Sequence, residues 1–211
     1  MKILIIILSL LIGFTFYNTS YKVNKSLDNI DFSKVTKLMI TAHPDDESLW
    51  GGAHLLEDDY LVVCITCGSS RIRVKEFKNA MHKTNDQFIM LGYPDLTLFG
   101  ASKWKKEYND IYNDLKKIIN YKKWDIIVTH NKDGEYGHPH HKLTSKIVTS
   151  LTDNNLYYFG QYYKKDEVQG LKIDSNLLKQ KKELLKVYNS QAIVRTMFKH
   201  MNSYENWILI K

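Results

Sequence analysis

Val35-Thr36-Lys37-Leu38-Met39-Ile40-Thr41-Ala42-His43-Pro44-Asp45-Asp46-Glu47-Ser48 reads as an apolar strand that runs directly into a cluster of imidazole and carboxylate groups. Val35 to Thr41 has the length and composition of a buried strand, and a helical pattern follows from Ser48 to Leu56. Strand, short polar loop and helix make one β/α unit, and the pattern then repeats. Tyr60 to Thr66, Trp124 to Thr129 and Leu156 to Tyr163 read as further strands. Val74 to Leu91, Lys105 to Asn120, Lys142 to Leu151 and Leu177 to Tyr188 read as helices. Such alternation predicts an α/β, Rossmann-like fold, a mostly parallel sheet with helices on both faces. Ligands of these sheets sit beyond the carboxyl ends of the strands, so chemistry is expected just after Thr41, Thr66 and Thr129.

The loop after Thr129 meets that expectation. It runs Asn131-Lys132-Asp133-Gly134-Glu135-Tyr136-Gly137-His138-Pro139-His140-His141, and with His130 it holds four of the eight histidines in the chain. Imidazoles crowded at a strand end point to a metal or to acid–base work. Zinc hydrolases use three nitrogen or oxygen ligands and keep a fourth position for water. His43, Asp46 and His141 supply that count, and Asp45 is a spare carboxylate beside them to take the water's proton. Amide hydrolysis also needs a donor for the oxyanion and a proton for the departing amine, which His138 and Tyr136 can offer. A plainer role for Asp45 to Glu47 stands beside this one, because carboxylates also cap a helix and complement its dipole.

At Ala42 to Glu47 (A-H-P-D-D-E) and Gly134 to His141 (G-x-Y-G-H-P-x-H) the sequence resembles the N-acetylglucosaminyl-phosphatidylinositol de-N-acetylases and their bacterial LmbE-like relatives. The likeness extends through Thr66-Cys67-Gly68, Arg73-x-x-Glu76, Leu91-Gly92 and Tyr188-Asn189-Ser190-Gln191, over roughly Val35 to Gln191. It implies zinc on His43, Asp46 and His141, a base at Asp45, and an electrostatic or acid role for His138. It also implies removal of an N-acetyl group from an N-acetylglucosamine conjugate, with a glycolipid based on phosphatidylinositol as the expected substrate. Where many relatives carry Asp or Asn between the last two histidines of the motif, this chain has His140. That leaves a His138 imidazolium without a supporting carboxylate. Rival readings are an amidase acting on another N-acyl sugar, and a membrane-tethered glycan-binding protein that keeps the metal without turnover.

Other residues carry two readings each. Arg73 is a candidate substrate-binding residue for an anionic group, or the partner of Glu76 three positions on. Trp50 and Trp104 are either sugar-stacking platforms or, more commonly for tryptophan, buried core. Cys64 and Cys67 form a C-x-x-C, but they end an apolar strand and no second cysteine pair exists, so they read as small core residues. His54, His82 and His200 fall in helical patterns and read as surface or core.

A chain of 211 residues holds one sizeable core, which we place at 35–211. Lys and Arg number 30 against 23 Asp and Glu, a formal charge of +7, yet only Arg71, Arg73 and Arg195 are arginines. The forked side chain favoured for reading bases is scarce, so nucleic acid is not an expected partner. Residues 21–34 read as a polar linker. Before it, Ile3 to Tyr17 is an uncharged apolar run, so residues 1–20 read as a signal-anchor or signal peptide. The bulky residues Phe14, Phe16 and Tyr17 make a poor cleavage site. The expectation is a single-pass N-terminal anchor in an endoplasmic reticulum-like membrane, with secretion after cleavage as the alternative.

Overall fold

A computed structural model describes residues 23, 26–97 and 100–211. The apolar runs build one sheet from β1 (Lys37–Thr41), β2 (Tyr60–Thr66), β3 (Gln87–Tyr93), β6 (Ile126–Thr129), β7 (Leu156–Tyr158) and β8 (Ile208–Leu209). Between them β4 (Leu96–Thr97) and β5 (Gly100–Ala101) pair apart as a small antiparallel hairpin. The order across the main sheet is β3-β2-β1-β6-β7-β8, parallel throughout except for the last pair. The helices described in full are α1 (Asp46–Glu57), α2 (Arg71–Thr84), α3 (Tyr108–Ile119), α4 (Pro139–Leu151), α5 (Ser175–Leu185) and α6 (Ala192–Met197). This is the mostly parallel α/β arrangement that the alternation predicts.

Strand alternation sorts the core into two layers. Leu38, Ile40, Leu61, Val63 and Ile65 face one way, onto Ile111, Leu115 and Ile118 of α3 and Ile147 and Val148 of α4. Met39, Tyr60, Val62 and Cys64 face the other, onto Leu49 and Leu55 of α1, Phe77 and Met81 of α2 and Leu184 of α5. Covered on both sides, β2 is buried at every position, which explains its unbroken apolar sequence.

Several boundaries differ from the sequence reading. The single helix expected from Val74 to Leu91 is a helix followed by a strand. Asn85 takes the left-handed conformation (φ 63°) that ends α2, and Gln87–Tyr93 then pairs in parallel with β2. The strand expected from Leu156 to Tyr163 stops at Tyr158. Gly160 beyond it passes so close to the Asn206 backbone that a Cβ there would lie 2.7 Å from the Asn206 carbonyl oxygen. The helix expected to reach Tyr188 ends at Leu185, and the chain turns through a 3-10 segment, Asn189–Gln191. Within the stretch read as a linker, Val23 and Leu27 are buried in the first core layer, with Ile30 and Phe32 packed against it. The apolar run Ile3 to Tyr17 lies outside the described residues; among those described, no helix is long and apolar enough to cross a membrane.

Candidate metal centre and cleft

The first turn of α1 grows out of the β1 loop and carries the acidic residues at its start, with no side-chain cap bond from Asp45. Asp45 is the N-cap position and Asp46 and Glu47 fill the first turn. Asp45 adopts φ 128°, a conformation that L residues seldom take and that its neighbours must hold in place. Its N–H donates to Glu47 Oε2 at 3.0 Å, while Glu47 Oε1 accepts from the Ser48 and Tyr188 hydroxyls, each at 2.6 Å. Glu47, fully buried, thus ties the loop to the segment after α5.

The loop brings His43, Asp46 and His141 together. His43 Nδ1 lies 3.1 Å from Asp46 Oδ2 and 3.3 Å from His141 Nε2, and His141 Nε2 lies 3.3 Å from Asp46 Oδ1. The two Asp46 distances run to different carboxylate oxygens, so what the geometry shows is two imidazole nitrogens and a carboxylate gathered at one place, a donor set that suits zinc. Three overlapping trios of potential ligands occur among the described residues: His43–His138–His141, His43–Asp95–His140 and Asp46–His130–His141.

Surrounding groups fix the ring tautomers. His130 Nε2 accepts from the Ala42 N–H at 2.9 Å, so its Nδ1–H donates to Glu135 Oε2 at 3.0 Å. The same oxygen accepts from His141 Nδ1, and His141 Nε2 on the other edge of the ring faces His43 and Asp46. A carboxylate behind a ligating imidazole orients it and raises its basicity. Burial raises the Glu135 pKa, but the neighbouring His130 and His141 overcome it and hold the carboxyl down at about 2.

Asp45 lines the cleft above this cluster, together with Arg73, Asp95, Tyr136 and His138; the cavity is about 530 Å³. Burial, reinforced by the charge of Asp46 and opposed by Arg73, pushes the Asp45 carboxyl up to about 8. Arg73 Nη2 is 3.5 Å from Asp45 Oδ1 and also donates to the Pro44 carbonyl. Its Nη1 pairs with Glu76 at 3.3 Å and reaches Ser190 Oγ at 3.2 Å, so the pairing with Glu76 is present and the guanidinium still borders the cleft. His138 is the N-cap of α4, its Nδ1 accepting the His140 N–H at 3.2 Å, which puts its proton on Nε2. Burial and the fields of His43 and His141 hold it down at about 3, so the ring is neutral. Tyr136 stands half-exposed at the mouth, its ring 5.4 Å from that of His141.

Trp50 and Trp104 are buried, as the commoner reading had it. Trp104 lies flat on His140, ring centroids 4.0 Å apart and planes within 2°. Cys64 and Cys67 are both free thiols, Cys64 in the core and Cys67 partly exposed beside the cleft. The sequence reading did not single out Glu135 or Asp95. The first occupies the unspecified position of the Gly134-x-Tyr136 motif, and the second follows β3, the strand read as helix.

Uncharacterized protein L374 of Acanthamoeba polyphaga mimivirus is 32% identical over 200 residues, covering 84% of this chain and 81% of that protein. The 1D-myo-inositol 2-acetamido-2-deoxy-alpha-D-glucopyranoside deacetylase of Corynebacterium diphtheriae is 27% identical over 162 residues, 60% of this chain; the match spans only about half of that protein's length (54%). Among solved structures, GalB, the 4-carboxy-2-hydroxymuconate hydratase of Pseudomonas putida KT2440, superposes with a TM-score of 0.56 at 12% identity. That match covers 79% of this chain and 82% of GalB, a likeness of fold alone. Residues 38–152 match the profile described as PIG-L: GlcNAc-PI de-N-acetylase, and the chain belongs to that family.

Proposed function

We propose that this protein is a zinc-dependent hydrolase that removes the N-acetyl group from an N-acetylglucosamine conjugate, giving acetate and a free amine. The observation that carries the reading is the convergence of His43 Nδ1, the Asp46 carboxylate and His141 Nε2 beside a buried, unligated Asp45. Zinc held by those three groups supplies Lewis-acid chemistry, polarising an amide carbonyl and acidifying water. Asp45, the carboxylate beside the three proposed ligands, accepts the proton from the attacking water and returns it to the departing amine. His138, neutral and protonated on Nε2, donates to the carbonyl oxygen as negative charge develops there. The Tyr136 hydroxyl is a second donor from the mouth of the cleft, and Arg73 is the candidate contact for an anionic substituent.

The family description and the name of the corynebacterial relative both specify N-acetylglucosamine joined to inositol. We take N-acetylglucosaminyl-phosphatidylinositol as the substrate, with the apolar run Ile3 to Tyr17 holding the cleft near a bilayer and raising the effective concentration of a lipid-linked sugar. The full chain, zinc-loaded in liposomes, is offered the lipid-linked sugar and its water-soluble headgroup while released acetate is measured. Turnover is expected with a preference for the lipid form, and Asp45→Asn keeps zinc while losing about 10²–10⁴ in rate. No acetate from any N-acetylglucosaminide at full zinc loading overturns the activity, and equal rates on both substrates overturn the lipid assignment.

A further inference from the structure

The edge of the His43 ring turned away from Asp46 and His141 meets a second group of ligand atoms. His43 Nε2 lies 3.0 Å from His140 Nδ1 and 3.4 Å from Asp95 Oδ1, and those two atoms are 3.8 Å apart. The point equidistant from three atoms so spaced is about 2.0 Å from each, the bond length of a first-row transition ion to imidazole and carboxylate.

The atoms are also held in ligating form. His140 Nε2 lies 2.5 Å from the Ser102 carbonyl oxygen, which can only accept, so the proton sits on Nε2 and Nδ1 presents its lone pair. A histidine anchored through its second nitrogen on a backbone carbonyl is the usual arrangement of a metal ligand. Trp104, flat against the ring, prevents His140 from turning out of that position. Asp95 reaches over from the loop before β4, its second oxygen accepting from the Cys67 thiol at 3.7 Å.

We propose that His43, Asp95 and His140 form a second cation site, one that takes a transition ion such as zinc or copper(II) on two nitrogens and one oxygen. Resting on the assignment of His43 Nδ1 to the first centre, it makes the His43 imidazole a bridge between two ions. Binding at Nε2 displaces the proton otherwise held between His43 and its two acceptors, so one proton passes to solvent for each second ion bound. Oxygen-only cations such as magnesium and calcium are poor occupants of this donor set.

The test is a titration of the metal-free full chain in detergent with zinc, and of the one-zinc protein with copper(II). Bound metal is counted by mass spectrometry, and proton release is followed in buffers of different ionisation enthalpy. Two equivalents are expected, the second releasing one proton. Asp95→Asn and His140→Gln are each expected to weaken the second equivalent about 10-fold or more while leaving the first in place. A single equivalent in the unaltered chain, or a second equivalent undiminished in both variants, overturns the second site without touching the first. Binding of no metal at all overturns the proposed function as well.

Discussion

Helix α1 borders two buried clusters of charge that spend their polar atoms differently. Midway along it, the fully buried Glu205 carboxylate meets Lys181 at 2.5 Å, His54 at 2.8 Å and the Ala53 N–H at 2.8 Å. Lys181 Nζ adds a bond to the Leu49 carbonyl at 2.8 Å. Burial works against ionisation of Glu205, but Lys181 and His54 outweigh it and keep the carboxyl low. There every acceptor faces a proton. At the amino end of α1, ring nitrogens face one another instead, His43 and His141 at 3.3 Å and His43 and His140 at 3.0 Å. Buried charge therefore does not by itself mark a site; imidazole nitrogens and carboxylate oxygens gathered within ligand distance of one another do.

Opening the closed cluster gives the largest expected effect. Lys181→Met strips Glu205 of its cation where neither side chain reaches solvent, and unfolding in urea is expected to show a loss of about 3–5 kcal/mol. Lys181→Met combined with Glu205→Gln recovers most of that loss, and the zinc content of the folded protein stays unchanged throughout. A loss under about 1 kcal/mol in the single variant would break the distinction between the clusters.

Glu135→Gln probes the open cluster from behind. The amide has one oxygen where the carboxylate serves His130, His141 and the Asn131 N–H, so the His141 tautomer is no longer enforced. Competition with a chelator is expected to show zinc affinity reduced about 10- to 100-fold. Affinity equal to that of the unaltered chain would remove Glu135 from the support of the centre.

Asp86 sharpens the comparison as a buried carboxylate that no cation pairs with among the described residues. Burial pushes it up to about 7, although its Oδ1 accepts the Tyr60 N–H at 2.7 Å. A carboxyl whose folded pKa lies above its unfolded value favours the folded state while protonated. Its contribution is full below about pH 4 and is lost as pH rises through about 7. Asp86→Asn, which can keep the bond from Tyr60, is expected to raise Tm by a few °C near pH 8, about 1 kcal/mol, and to leave it unchanged near pH 4. An equal shift at both pH values would mean that charge is not the cause.

The parallel sheet was legible because β1, β2 and β6 are continuous apolar runs ending in polar loops. β3 was not, since only Asn85 and Asp86 separate it from α2, and Phe88 to Leu91 continue the apolar face of the helix. What separates the two is the left-handed turn at Asn85 and the pairing with β2, neither of which periodicity reveals. β8 is two residues long and exists only through its pairing with β7. In the site, His43, Asp46, Asp45 and His141 were legible because they crowd strand ends. Asp95 was hidden with the strand before it. Glu135 and His130 were visible as residue types but not as partners, since their roles depend on which ring nitrogen meets which oxygen. The contact of Trp104 with His140 joins residues from separate loops, and nothing local in the sequence announces it.

The register between β1 and β6, which sets Ile40 beside Thr129, also fixes when the centre can come into being during folding. His43 and His141 are 98 positions apart, and the chain between them includes β2, α2, β3 and α3. Closing so long a loop costs chain entropy before any native contact rewards it, which makes it a slow step. The proposed ligands consequently converge only once that step is complete, and an ion captured there would be a reporter of the native chain rather than a template for it. By mass action its binding deepens the native basin and slows escape from it, while the route into that basin is left to the apolar strands.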